Sequence, residues 1–178
     1  MNWYDKLRHY FPEHEMKKEA HLRDLIQELE VYHKEETQDY VVLYAEYPDF
    51  IFIDYLLVTS SSRGKGLGTR ILERFKAKHK MILLEAEPPD ADDPDTEKRL
   101  IFYKRNGFRL AHHIEYKRED ADGESFDMNI LYWPANEISQ KVIMDRMAQA
   151  CRTIHNFRSR YYYGREIANP AEVLRWTE

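Results

Sequence analysis

The chain has 178 residues, 33% of them charged and 13% aromatic, and its 32 acidic side chains outnumber 27 Lys and Arg for a net charge of −5. That length suits one domain with a real core, and the acidic balance excludes a nonspecific nucleic-acid binder, which carries a basic face. A single cysteine, Cys151, excludes an internal disulfide framework and a Cys-rich zinc site. No apolar run approaches a membrane span, and the opening MNWYDKLRHYF lacks the apolar core of a secretion signal, so a soluble cytoplasmic protein without membrane contact is expected.

In chain order, Trp3, Tyr4, Leu7, Tyr10 and Phe11 suit a short amphipathic helix or an aromatic arm, punctuated by Pro12. Residues 15–30 read as a helix with Met16, Leu22, Leu25, Ile26 and Leu29 apolar. Residues 31–33 suit a short strand and 40–47 a clearer one. Pro48-Asp49 makes a turn, and 50–58 returns as a buried strand. Residues 59–68 are small, polar and glycine-rich. Residues 69–78 are helical, with Ile71, Leu72 and Phe75 sharing a face. MILLEAE, 81–87, is a further strand, parallel to 50–58 because a helix connects the two.

The next stretch, 85–97, holds Glu85, Glu87, Asp90, Asp92, Asp93, Asp95 and Glu97 and no base. Two readings stand side by side. One is a solvated loop whose acids favour the next helix N-terminus, by about 0.3–1 kcal/mol each. The other is a cation-attracting rim for an amine-bearing acceptor. Residues 98–106 form a helix that Gly107 stops. Residues 108–117 and 125–133 suit two closing strands joined around Asp122-Gly123. His112 and His113 fall in the first of these, where neighbours face opposite ways, so they make no metal pair. No ligand spacing recurs among the eight histidines, and no metal is expected. Residues 136–159 suit a long helix with a stripe of Val142 or Ile143, Met147, Cys151, Ile154 and Phe157. Cys151 on that stripe reads as a core residue, not a nucleophile.

The strand, glycine loop and helix over 50–78 form an anion site: glycines let backbone approach a ligand, and the first amides of the helix lack internal partners. The loop has neither a Walker spacing nor a dinucleotide fingerprint. It has R-x-x-G-x-G, carried by Arg63, Gly66 and Gly68 directly after Leu56-Leu57-Val58. That pattern resembles the acyl-CoA pyrophosphate loop of the GNAT superfamily of N-acetyltransferases. Downstream, Phe102-Tyr103-Lys104-Arg105-Asn106-Gly107-Phe108 is similar to that family's F-Y-x-x-x-G-F segment.

The resemblance spans roughly 31–133 and implies a mixed α/β fold of GNAT type: a central, mostly antiparallel sheet with splayed parallel strands, flanked by helices. Residues 1–133 would be the acetyltransferase domain, with 134–178 a helical extension packed on it, serving as cover, lid or dimer interface. A homodimer is one option. In the family the first helices often border the acceptor groove. The implied cosubstrate is acetyl-CoA and the partner an amine acceptor of unidentified kind. Leu57 and Val58 would offer main-chain groups to it. Arg63, Gly64, Lys65, Gly66, Leu67, Gly68 and Thr69 would hold its phosphates. Thr96 stands where many members carry a cofactor-contacting Asn. Tyr103 matches the donor of a proton to the leaving thiolate, and the Val58 N–H the group that polarises the thioester carbonyl.

Amide formation also needs a neutral amine. A lysine-like amine is neutral in only about one molecule in 2,500 at pH 7, a barrier of roughly 4–5 kcal/mol. A carboxylate near the groove lowers it. Asp54 is a candidate, lying an even number of residues before Val58 and hence on its face of the strand; Glu85 and Glu87 are rivals. Two alternatives to an enzyme remain: an acyl-CoA-binding sensor with the same fold, and a phosphate-ligand protein unrelated to CoA.

Overall fold

A computed structural model describes residues 1–134 and 138–178. The helices are α1 (Trp3–Tyr10), α2 (Glu19–Glu28), α3 (Leu67–Lys76), α4 (Pro94–Arg105), α5 (Gln140–Ala150), α6 (Ser159–Tyr163) and α7 (Pro170–Val173). The strands are β1 (Tyr32–Glu36), β2 (Tyr40–Glu46), β3 (Phe50–Val58), β4 (Met81–Ala86), β5 (Arg109–Leu110), β6 (Ile114–Glu119), β7 (Ser125–Trp133) and β8 (Leu174–Trp176). They form one sheet in the order β1-β2-β3-β4-β7-β6-β8, with β5 paired to β7. The β3–β4 pair is parallel, joined through α3, and its neighbours are antiparallel. This is the mixed, mostly antiparallel sheet between helices that the sequence implies. Among the described residues no helix is long and apolar enough to cross a membrane.

Each sheet face has its own core. On one face α1, α2, α5 and the turn that follows α5 bring Leu7, Leu22, Leu25, Met147 and Ile154 against Phe50, Phe52, Leu83 and Tyr116. On the other, α3 and α4 bring Ile71, Leu72, Phe75 and Tyr103 against Ile51, Ile53 and Ile82. Burying these faces, at about 25 cal/mol per Å² of apolar surface, supplies most of the driving force. The residues after Trp133 share the first core, and β8 extends the sheet edge by pairing Ile114 with Trp176.

Two irregularities in β3 position everything functional. Leu43 of β2 faces Tyr55, while the next residue, Tyr44, faces Ile53, so Asp54 is the extra residue of a β-bulge. The bulge reverses the side-chain alternation. Phe50 and Phe52 share a core with Tyr55 and Leu57, whereas Ile51 and Ile53 share theirs with Leu56 and Val58. The even count from Asp54 to Val58 therefore misplaces Asp54. It turns towards α1, α2 and the C-terminal helices, and Val58 turns towards α3 and α4. The second irregularity is that the β3–β4 ladder stops at Ile53–Leu84. Beyond it β4 pairs with β7 through Glu85–Ile130 and Ala86–Asn129, and β3 pairs with β2 through Val58–Tyr40. The parallel strands diverge there, leaving one edge of residues 55–58 open.

Other expectations also shift. The first helix region splits: Glu13–Glu15 is a 3-10 turn, and α2 starts only at Glu19. His112 and His113 lie in a turn between β5 and β6 rather than in a strand, with their rings 4.2 Å apart. His113 is tied there by its contact with the Thr177 carbonyl at 3.0 Å. The long C-terminal helix is broken. A π turn over Cys151–His155 follows α5, and Arg158 takes a left-handed φ of 51° before α6. Its expected first residues, 136 and 137, lie outside the described residues.

Asp54 is wholly enclosed. Lys17 Nζ donates to its two oxygens at 2.8 and 3.0 Å, and the Tyr32 hydroxyl donates at 2.6 Å. Removing one member of a buried ion pair strands the other charge, at a cost of about 3–5 kcal/mol. Asp54→Ala is therefore expected to lower the urea-derived unfolding free energy by about that amount. A change below about 1 kcal/mol would show that the pair is solvated in solution.

Candidate active site

The turn after β3 is locked to the strand that precedes it. Arg63 Nε donates to the Val58 carbonyl at 2.9 Å, and Ser62 Oγ donates to Asp39 at 2.6 Å. Gly64 and Gly66 then take φ of 78° and 75°, a region that L side chains rarely enter, and Gly66 caps α3. The two neighbouring helix N-termini are built differently. At α4 the Asp93 carboxylate accepts from the Asp95 amide at 3.1 Å, and Asp95 and Glu97 complement the dipole. At α3 the first turn carries no acid, and no side chain among the described residues caps it. Its amides face a cavity of about 460 Å³.

That cavity lies where β3 leaves β4. Leu56 and Val58 form its strand wall; Gly64, Gly66, Leu67, Gly68 and Thr69 its loop and helix wall; Lys98, Arg99, Phe102 and Tyr103 the opposite wall. Tyr10, at the end of α1, closes one side. Its ring lies between the Arg63 and Arg99 guanidiniums, 4.7 and 5.1 Å from its centroid. Arg63, Lys98 and Arg99 against the single lining acid Asp95 make the site net cationic, and Arg99 Nε and Nη2 are buried without hydrogen-bond partners among the described residues. Gly68 is required by close packing: a Cβ there would stand 2.8 Å from the Phe102 ring.

Of the residues the sequence points to, Val58, Arg63, Gly64, Gly66, Leu67, Gly68, Thr69 and Tyr103 meet in this cavity. Lys65 is exposed and outside the wall. The Leu57 side chain packs in the opposite core and its main chain is directed at β2 opposite Val41, so Leu57 does not line the cavity. Thr96 is corrected. It is fully buried, donates its hydroxyl to the Asp93 carbonyl at 2.7 Å and accepts from the Asp90 amide at 2.8 Å, so it holds the acidic turn rather than a ligand. Sequence reasoning missed Leu56, Lys98 and Arg99. Leu56 adjoins the expected Leu57, on the other side of the bulge in β3, and Lys98 and Arg99 come into reach because α4 starts at Pro94, one turn before Lys98.

Beyond Tyr103 the cavity narrows to an inner chamber of about 30 Å³, lined by Glu15, Asp54, Glu85 and Arg118. Leu56, Arg99 and Tyr103 border both spaces. Burial pushes the Tyr103 phenol upward, so it keeps its proton at neutral pH and can donate it. Two of the candidate bases are already engaged. Glu85 accepts from His155 Nε2 at 2.7 Å, Tyr116 at 3.0 Å and Arg118 Nη1 at 3.1 Å. Burial opposes its charge, but Arg118 and His155 more than offset that and hold the carboxyl well below the usual range. At Asp54, burial is likewise outweighed by Lys17 and His155. Both carboxylates are weak bases with their oxygens occupied. Cys151 is fully buried, and burial, with Glu85 behind it, pushes its thiol up to about 12. Glu15, which no pattern in the sequence marks, is the chamber's one carboxylate with an oxygen lacking a hydrogen-bond partner among the described residues.

A mixed sheet split between two parallel strands, with a glycine-capped helix in the mouth of the split, is the architecture of the GNAT acyltransferase class. Comparison with known proteins agrees. A family model described as an acetyltransferase (GNAT) domain matches residues 26–110. The Bacillus subtilis (strain 168) protein named "Putative acetyltransferase YjbC" is 44% identical over 176 residues, 98% of this chain and 92% of that protein. The chain belongs to the GNAT acetyltransferase family. Solved structures share its fold. One, assigned to the GNAT family and from Bacteroides thetaiotaomicron, superposes with a TM-score of 0.67 at 19% identity, covering 89% of this chain and 88% of that one. The ribosomal-protein-S18-alanine N-acetyltransferase of Escherichia coli superposes with a TM-score of 0.50 at 18% identity, covering 76% and 87%.

Gly68→Ala forces a methyl into the Phe102 ring. Overpacking of this kind costs about 1–3 kcal/mol, so the variant is expected to unfold at lower urea and to bind CoA at least tenfold more weakly by calorimetry. Unchanged affinity would separate α3 from the ligand.

Proposed function

We propose that the protein transfers an acetyl group from acetyl-CoA to a primary amine by direct attack on the thioester. One observation carries this reading: the N-terminus of α3, which has no side-chain cap among the described residues, faces a cationic cavity at the point where β3 and β4 separate. The amides and dipole of α3 suit the linked phosphates of the coenzyme. Arg63 and Lys98 add charge at the rim. The open edge of residues 55–58 suits the pantetheine amides, which would pair there as a missing strand would. The thioester would then lie beside Tyr103, between the outer cavity and the inner chamber. Holding amine and thioester together supplies much of the rate through proximity, without an acyl-enzyme.

The Tyr103 phenol supplies the leaving thiolate with its proton. Tyr103→Phe is expected to leave acetyl-CoA affinity within about twofold while lowering turnover on the order of 10²-fold. Calorimetric titration with acetyl-CoA, and thiol release across a panel of amines, measure the two. Absence of saturable acetyl-CoA binding would remove the reading. A second reading, an acyl-CoA-binding module without turnover, draws on the inner chamber's small volume of about 30 Å³. Saturable binding with no thiol release above background for any amine would favour it.

A further inference from the structure

The acetyl-transfer reading above needs a group that neutralises the amine, and Asp54 and Glu85 are both spent on ion pairs. We propose that Glu15 takes that proton, and that Glu87 with His14 passes it to solvent.

The placement is specific. Glu15 ends the 3-10 turn between α1 and α2, and its main chain is pinned to β3: the Tyr55 hydroxyl donates to the Glu15 carbonyl at 2.7 Å and accepts from the Lys17 amide at 3.0 Å. The residue is 6% exposed and lines the inner chamber with Tyr103, and its Oε1 has no hydrogen-bond partner among the described residues. A buried carboxylate oxygen without a donor is costly, unless a ligand supplies one. An ammonium arriving at the thioester supplies it.

An exit to solvent lies beside Glu15. Glu87 extends from the end of β4, and His14 Nε2 lies 2.8 Å from its Oε1. Side-chain nitrogen or oxygen atoms of His14, Glu15 and Glu87 all lie within 4.8 Å of one another, a spacing short enough for a single water to span. His14 and Glu87 are both partly exposed, whereas Glu15 is not.

The groups facing Glu15 are Glu85 from β4 and Glu87 just beyond it, Arg99 and Tyr103 from α4, Arg118 from β6, Asp54 and Tyr55 from β3, and His14 beside it. Burial, then the Glu87 charge, lift its carboxyl to about 7 against the pull of Arg99 and Arg118. A base poised there accepts a proton at neutral pH and can release it again. The step balances. The ammonium gives one proton to Glu15, and the freed amine forms the C–N bond. The C–S bond breaks with its electron pair on sulfur. The thiolate takes the Tyr103 proton, and the phenolate recovers the proton still carried by the new amide nitrogen. One amide, one CoA thiol and one proton to solvent result.

The sign of the pH dependence follows. Below about 7 Glu15 is protonated and cannot accept, so turnover rises with pH through that value. The test uses the full chain with acetyl-CoA and ethylamine as probe, following thiol release from pH 5.5 to 9, together with ¹³C-carboxyl NMR of glutamate-labelled protein with CoA bound. Glu15→Gln is expected to lower kcat on the order of 10²-fold at unchanged acetyl-CoA affinity, to abolish the acid limb of the profile and to delete a carboxyl resonance titrating near 7. Glu87→Gln, which removes a neighbouring negative charge, should shift that limb to lower pH. Retention of rate and limb in Glu15→Gln overturns the proposal, and so does a Glu15 carboxyl that titrates in the ordinary range near 4.3. If ethylamine is not acetylated, the rate comparison is made with whichever amine of the panel gives the fastest thiol release. Failure to bind acetyl-CoA instead overturns the acetyl-transfer reading, a distinct result.

Discussion

The structure depends on where one backbone ladder ends. Parallel strands β3 and β4 exchange hydrogen bonds as far as Ile53 and Leu84, and then each keeps only its other neighbour. Backbone N–H and C=O groups left without partners away from water are costly, so a sheet does not split in its middle without cause. Here the split is held from both sides. The bulge at Asp54 twists β3 away, and β7 draws β4 the other way. The result is a strand edge that a ligand with alternating amides and carbonyls can complete, with a helix N-terminus at its outer end.

The same bulge decides which charges reach the site. By turning Asp54 to the far face, it commits that carboxylate to Lys17 and Tyr32. Glu85, on the neighbouring strand, is committed to Arg118, Tyr116 and His155. These clusters tie the turn before α2, the sheet and the π turn after α5 into one buried polar network beneath the split. Two fully paired carboxylates fix position; they do not exchange protons near neutrality. The segment that supplies Lys17 also supplies Glu15, whose Oε1 has no hydrogen-bond partner among the described residues. Structural and chemical duties are divided between residues two positions apart.

What the sequence made legible was what local chemistry determines. Glycines 64, 66 and 68 between an apolar run and an amphipathic helix mark the anion turn whatever surrounds them. Tyr103 followed by Gly107 marks a helix end against the sheet. What stayed hidden depended on contacts between distant segments. The bulge is a register step between β2 and β3, so counting by twos through Asp54 gave the wrong face. Thr96 was hidden for a different reason: its hydroxyl serves the Asp90–Asp93 turn, a local bond that pattern matching to a cofactor contact overlooks. Glu15 is an ordinary glutamate in FPEHEM, and only the packing of α1, β3 and β4 around it gives it an unusual acidity. The acids of 85–97 likewise separate in space: Asp90 and Asp93 shape a turn, Glu85 lines the chamber and Glu87 meets His14.

The central claim is that the split between β3 and β4 receives the coenzyme. Hydrogen exchange read by mass spectrometry, with and without saturating acetyl-CoA, measures it most directly. The account predicts that amides of residues 55–58 and 64–69 slow together on ligand addition, while the continuous β1–β2 ladder is unchanged. Saturable binding that leaves both of those segments exchanging at their free rates would contradict it.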